Sequence, residues 1–319
     1  MNGIENILFF VEDEPDLEIL DRTFDLAEVF GARLTVATTV RTPPTKTVLS
    51  RHGFEPGELE RLVIEDRRSK LADAIEKVGR PGVDTKTVVL TGAPVPAIVG
   101  YVQEQGFDYL YKEPSPSHGL RKPLFGSIDL QLMRTAPCKV GIGRTRKTDG
   151  PLRAVVAVDI DVDDERKAAL NRRLLDGIQL ARAGEHVEAY VLHAWDLYGY
   201  SILAHGRGKI APERLEEAVE QERASRQEWL ETLIDRHREE LGSEQAEIFD
   251  PKPLLVRGDP RTVIPSKIRE LDADILGIGT ASRTGMRGVV VGNTSEEILH
   301  RVDCTVIVVK PEGFESPFA

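Results

Sequence analysis

The chain has 319 residues, 40% of them hydrophobic and 30% charged, and a formal net charge of −11. That length exceeds one ordinary mixed domain and suits two of roughly 150 residues each, while the composition excludes a disordered or fibrous chain. The acid excess argues against general nucleic-acid binding, which needs surplus Lys and Arg to neutralise phosphates.

Ile7 to Val11 reads as a buried strand, and Glu12-Asp13-Glu14-Pro15 places acids and a proline at the start of a helix. Leu17, Leu20, Phe24 and Ala27 recur at helical spacing until Gly31, and Leu34 to Val40 forms the next strand. After a Pro- and Thr-rich stretch, a charged helix from about Glu58 to Val78 leads through Arg80-Pro81-Gly82 into a third strand ending at Leu90. Gly92-Ala93-Pro94 turns into a helix with Val95, Ile98, Val99 and Val102 on one face. A strand at Asp108 to Tyr111, a long loop, a helix after Gly126-Ser127 and a strand at Cys138 to Ile142 complete the half.

The second half repeats this plan. Ala154 to Val158 is a strand, and Asp163 can cap a helix carrying Leu170, Leu174, Ile178 and Ala181. Gly184 ends it, and Val187 to Ala194 is the next strand. A long acidic helix spans about Pro212 to Leu241, with ion pairs such as Glu222/Arg226 and Trp229 as its anchor. A strand near Leu254 to Val256 precedes a helix opened by Gly258-Asp259-Pro260. The register of the repeat follows by subtraction: Gly258 − Gly92, Asp274 − Asp108, Gly292 − Gly126 and Cys304 − Cys138 all give 166, while Gly184 − Gly31 gives 153. A duplicated unit with an insertion in its middle accounts for both offsets. The expected limits are 1–145 for the first unit, 146–152 for a linker, 153–311 for the second unit and 312–319 for a tail.

Strands alternating with helices predict an α/β fold, with parallel sheets covered by helices on both faces. Uncovered apolar edges need partners, so Lys139 to Ile142 and Thr305 to Val309 are expected to pair edge to edge, packing the units as a pseudo-dimer within one chain.

From Asp274 to Lys310 the chemistry concentrates. The run Ile275 to Ile278 stops at Gly279, passes through a Gly/Ser/Arg loop with Arg283 and Arg287, and restarts at Gly292-Asn293-Thr294-Ser295 before a periodic segment. Glycines let backbone approach an anion, and the free N–H groups of a helix start favour negative charge. The spacing Gly279-x2-Ser282-x9-Gly292-Asn293 resembles the G-x2-G-x9-G-[ST] phosphate loop of the universal stress proteins, with Ser at the second glycine and Asn at the hydroxyl position. GTASRTG, GNTSEEIL and VIVVKP look like the tandem E-type members of that family. The resemblance implies two open five-stranded sheets, each ordered 3-2-1-4-5, and a crevice between the ends of the first and fourth strands of a unit. Carried across by position, it assigns Val158, Asp159, Ala194, Ile278, Gly279, Ala281, Ser282, Gly292, Asn293, Thr294 and Ser295 to ATP or AMP, with magnesium only alongside ATP. A competing reading makes Gly279 and Gly292 a matter of tight turns and helix packing, and Asp159 a helix cap.

In the first half the corresponding loop positions are Glu113 and Pro116, where a carboxylate repels phosphate and proline removes a donor. Lys112, Arg121 and Lys122 read as a solvated loop or as contacts for some other anion. No catalytic residue or metal ligand set is expected: the chain lacks G-x-x-x-x-G-K-[ST], G-x-S-x-G, H-E-x-x-H and C-x-x-C, and its seven histidines show no i, i+4 pairing. His193 reads as a packed strand histidine, Cys138 and Cys304 as structural thiols, and His205 to Lys209 as an exposed basic loop or a lid.

The expectation is therefore a cytoplasmic stress-response binding and regulatory protein, free of membrane and nucleic acid, with a homodimer and unidentified proteins as further partners. Two alternatives stay open: a nucleotide phosphohydrolase or transferase with Asp159 as its acid, and a ligand-free scaffold or acyl-ligand binder. No apolar run approaches the ~18 residues of a membrane span, and the N-terminus reads as neither signal peptide nor anchor.

Overall fold

The computed structural model describes residues 3–42, 56–115, 125–146, 150–160, 164–181, 187–205, 210–241, 250–280 and 292–318. In the first half the chain runs β1 (Asn6–Val11), α1 (Leu17–Phe30), β2 (Arg33–Val40), α2 (Pro56–Val78), β3 (Thr85–Thr91), α3 (Pro94–Gln105), β4 (Tyr109–Lys112), α4 (Ser127–Thr135) and β5 (Lys139–Ile142). The second half runs β6 (Leu152–Ala157), α5 (Glu165–Ala181), β7 (Val187–Trp195), α6 (Tyr200–His205), α7 (Pro212–Leu241), β8 (Lys252–Arg257), α8 (Pro260–Glu270), β9 (Ile275–Gly279), α9 (Asn293–Leu299) and β10 (Thr305–Val309).

The strands form one ten-stranded sheet in the order β3-β2-β1-β4-β5-β10-β9-β6-β7-β8. Each half therefore has the order 3-2-1-4-5, and its strands are parallel. The halves meet where β5 and β10 pair antiparallel, Val306 opposite Ile142, Ile307 opposite Gly141 and Val308 opposite Val140. The expected edge pairing is present and fuses two sheets into one. Arg134 of α4 and Glu296 of α9 form an ion pair across this seam.

Burial follows the strand period of two. Ile7, Phe9 and Val11 face one apolar layer with α1, and Ala154 and Val156 continue that layer under α5 and α7. Leu8, Phe10, Val155 and Ala157 face the opposite layer with α3, α4, α8 and α9. Both layers cross the seam, so the two units share core as well as sheet.

Local signals set the helix ends. The acids Glu12 to Glu14 do not begin α1; Asp16 does, its carboxylate accepting from Glu18 N and Ile19 N, and Gly31 closes the helix with φ +61°. The shared aspartates of the repeat stitch strand starts together. Asp108 Oδ2 accepts from the amides of Glu5 and Asn6, and Asp274 Oδ2 from that of Arg153. Trp229 packs against the first layer, as an anchor of the polar helix should. Asp163 and the Gly206 to Lys209 part of the basic loop lie outside the described residues. Among those described, no helix is long and apolar enough to cross a membrane.

Candidate functional site

In the second unit β6 lies between β7 and β9, so the strand order reverses there, the place at whose carboxyl ends α/β sheets bind ligands. Ala157 pairs with Leu192 on one side and with Ile278 on the other. Val158 and Asp159 therefore follow the strand end beside His193-Ala194 and Gly279, the strand closing at Ala157, one residue before the expected Val158. Gly292 caps α9 with φ −59° and ψ 147°, and Ser295 Oγ donates to the Gly279 carbonyl at 3.1 Å, fastening the helix start to the end of β9. Asn293 and Thr294 are exposed at that start. The structure thus brings Val158, Asp159, Ala194, Ile278, Gly279, Gly292, Asn293, Thr294 and Ser295 to one end of the sheet; Ala281, Ser282, Arg283 and Arg287 lie outside the described residues.

Several supports were not singled out from the sequence. Asn171, 2% exposed on α5, accepts from the Asp159 amide at 3.3 Å and donates to its carbonyl at 2.9 Å. Lys167, one turn earlier, pairs with the Asp159 carboxylate at 2.7 Å. Asp159 is thus fixed by α5 through main chain and side chain rather than capping the helix itself. The spacing Lys167 to Asn171, one helical turn on one face, was the available signal.

His193 is buried. Its Nδ1–H donates to the Val158 carbonyl at 3.1 Å, and its Nε2 lies 2.9 Å from a guanidinium nitrogen of Arg226, from which only the neutral ring can accept. Arg226 also binds Glu222 and lies over the Trp195 ring at 5.7 Å, so this contact pins α7 to the end of β7. Burial pushes the imidazole down to about 4; the Val158 carbonyl pulls it up, and Arg226 adds to the depression.

Gly279 carries a packing constraint. A Cβ there would lie 2.8 Å from Leu170 Cδ2, and one at Gly277 would lie 2.7 Å from Ile178 Cγ1. Both glycines let α5 settle onto the sheet. Thr280, 2% exposed, donates its amide to Val309 while its hydroxyl finds no partner among the described residues.

The first unit's crevice is built from the equivalent positions. Ile7 pairs with Tyr109 as Ala154 pairs with Ile275, so Glu12 matches Asp159, Lys112 matches Ile278 and Asp129 matches Ser295. Lys112 is fully buried, and its ammonium meets Glu12 Oε1 at 2.8 Å, Asp129 Oδ1 at 2.5 Å, the Glu113 carbonyl at 2.6 Å and Ser115 Oγ at 3.3 Å. A lysine so buried and committed is neither part of a solvated loop nor free for an anion, which corrects both readings of Lys112; Arg121 and Lys122 lie outside the described residues. Glu113 does not face an open phosphate loop either. Its carboxylate accepts from the Asp16 amide at 2.7 Å, and burial raises it to about 7.

Sheet order and repeat together define a single-chain tandem of doubly wound α/β units, each with a strand-order reversal between its first and fourth strands, the first unit's being filled by side chains. The chain belongs to the universal stress protein family, a family of stress-response proteins, whose model matches residues 3–142 and again 152–310. It is similar to the Universal stress protein E homolog of Haemophilus influenzae, 26% identical over 268 residues, which cover 81% of this chain and 80% of that one. It is also similar to Universal stress protein E of Escherichia coli K12, 26% identical over 231 residues, 72% of this chain and 69% of the other. Among solved structures, a functionally unknown protein from Pseudomonas aeruginosa PAO1 superposes with a TM-score of 0.64 at 22% identity, covering 97% of this chain and 93% of that one. A universal stress protein from Archaeoglobus fulgidus gives 0.56 at 16% identity, covering 96% of each chain. These likenesses show the fold.

Proposed function

We propose that this protein is a cytoplasmic binding and regulatory module of the stress response, in which the unit spanning 153–311 takes ATP or AMP and the unit spanning 1–145 does not. The supporting observation is the convergence of Val158, Asp159, Ala194, Gly279 and Gly292 at the β6/β9 reversal, where α/β sheets bind ligands. In this reading the main chain at Ala194 receives the adenine and Asp159, held by Asn171 and Lys167, faces the ribose. Ile278, Gly279, Ala281, Ser282 and the Gly292 to Ser295 stretch surround the phosphates, with magnesium entering only with ATP. The fused sheet makes the two units each other's partner, and a homodimer would form through other surfaces.

Two observations bear on the alternatives. Asp159 is paired with Lys167 at 2.7 Å, which ill suits it as the base of a phosphate hydrolase. Gly279 is explained by Leu170 alone, which favours a ligand-free scaffold as the second reading. Calorimetric titration with ATP and AMP, with and without magnesium, separates them. Gly292→Asp, which sets a carboxylate at the phosphates, should abolish the heat of binding; unchanged affinity would remove this crevice from consideration.

A further inference from the structure

The first unit puts two carboxylates, a serine and a lysine at the positions where its sister has Asp159, Ser295, Ala281 and Ile278. Glu12 follows β1, Asp129 stands in the first turn of α4, and Lys112 ends β4 between them. Asp129 is fully buried, and its second oxygen accepts from the amides of Ser115 at 2.9 Å and Gly126 at 2.7 Å. The Ser115 hydroxyl bridges Glu12 and Asp129. A Cβ at Gly126 would collide with Ser115, so the glycine, the counterpart of Gly292, here lets the cage close. Oxygens surround the ammonium on several sides, and the Phe10 ring lies 6.0 Å from it.

We propose that the first unit's crevice is a cation site whose resident cation is the chain's own Lys112 ammonium, so that this unit is permanently loaded and needs no ligand to hold β1, β4 and α4 together. The inference rests on the equivalence of the two crevices and not on nucleotide binding in the second. Four oxygens surround Nζ at 2.5–3.3 Å, more acceptors than its three protons can use. Two carboxylates, a carbonyl and a hydroxyl are the donor set of a hard divalent ion, and the shorter spacings approach the ~2.3–2.6 Å of calcium. The set carries two negative charges against one positive. An anion is repelled, and a vacated cage would bind a small cation.

Three variants of the full chain test this, read by thermal melting with and without millimolar calcium chloride. The parent should show no calcium response. Lys112→Met, which keeps the stem and removes the charge, should lower the midpoint by about 10 °C, because it leaves the buried Asp129 and half-buried Glu12 carboxylates without their counter-charge. Lys112→Ala, which also makes room, should recover several degrees in calcium and bind it stoichiometrically by calorimetry. Lys112→Met combined with Glu12→Gln and Asp129→Asn should melt near the parent and ignore calcium. A Lys112→Met midpoint within two degrees or so of the parent, a folded Lys112→Ala blind to calcium, or a triple variant no better than Lys112→Met would each overturn the proposal. Should Lys112→Ala not fold, the triple variant alone decides. ATP and AMP titrations of the same variants report the second crevice separately, so a failure there would not be mistaken for a failure here.

Discussion

Replacing His193 by glutamine should flatten the acid limb of the stability curve. The native ring donates to Val158 and accepts from Arg226, an arrangement open only to neutral imidazole, and burial holds the group down to about 4 from an ordinary 6.5. Since the folded value is the lower one, the unfolded chain takes up the proton first as pH falls. The contribution is complete above about pH 6.5 and is lost between there and about pH 4. At roughly 1.4 kcal/mol per tenfold, that window is worth about 3 kcal/mol. Glutamine can donate to Val158 and accept from Arg226 without titrating, so its stability at pH 7 should stay close to the parent's. Glu113, raised to about 7, gives an opposite slope in the same range, and His237, lowered by burial, gives the same slope. Both persist in the variant, so the difference between the two proteins isolates His193. Urea unfolding at pH 7 and pH 4.5 is the assay, and the parent should lose about 2–3 kcal/mol more than His193→Gln. Parallel losses would refute the assignment of a neutral, buried imidazole at this contact.

Gly141→Ala should cost about 1–3 kcal/mol in urea unfolding, because its Cβ would enter the stacked rings of Tyr109 and Tyr111 at the seam; Tyr111→Leu in the same chain should recover part of it. Asn171→Leu removes both main-chain bonds to Asp159 and should lower stability by about 1–3 kcal/mol. Nucleotide titration of the same variant should show weaker binding, and an unchanged dissociation constant would separate Asn171 from the crevice. Arg134→Ala should cost less than about 1 kcal/mol, since its pair with Glu296 is part-exposed, and a larger loss in a double-mutant cycle would mean the seam depends on it.

Much of this architecture is legible in the residues. Apolar runs separated by helical periodicity mark the parallel strands, and the 166-residue offset marks the repeat. The seam could be anticipated because Lys139 to Ile142 and Thr305 to Val309 carry apolar side chains at an edge that nothing in sequence covers. What escaped depends on distant partners. Lys112 ends a short strand and looks like an ordinary strand-end cation; only Glu12, a hundred positions away, and Asp129 across a long loop reveal it as buried. Asn171 and Lys167 look like polar helix surface until Asp159 is placed beneath them. Helix α6 has six residues and no amphipathic period to announce it. Gly279 was visible as a glycine, but Leu170 supplies a reason for it that no spacing rule contains.

The antiparallel union of β5 with β10 has a consequence for biosynthesis. About 160 residues separate the two strands, so at ~5–20 residues per second the nascent first unit waits on the order of ten to thirty seconds for the neighbour that covers its rim. During that interval β5 offers unsatisfied amides and carbonyls to any strand within reach, including the same strand of another growing chain. A protein stopped at residue 145 should therefore self-associate through β5, and a gel-filtration profile of monomers alone would show that the rim is guarded by something other than the chain's last strand.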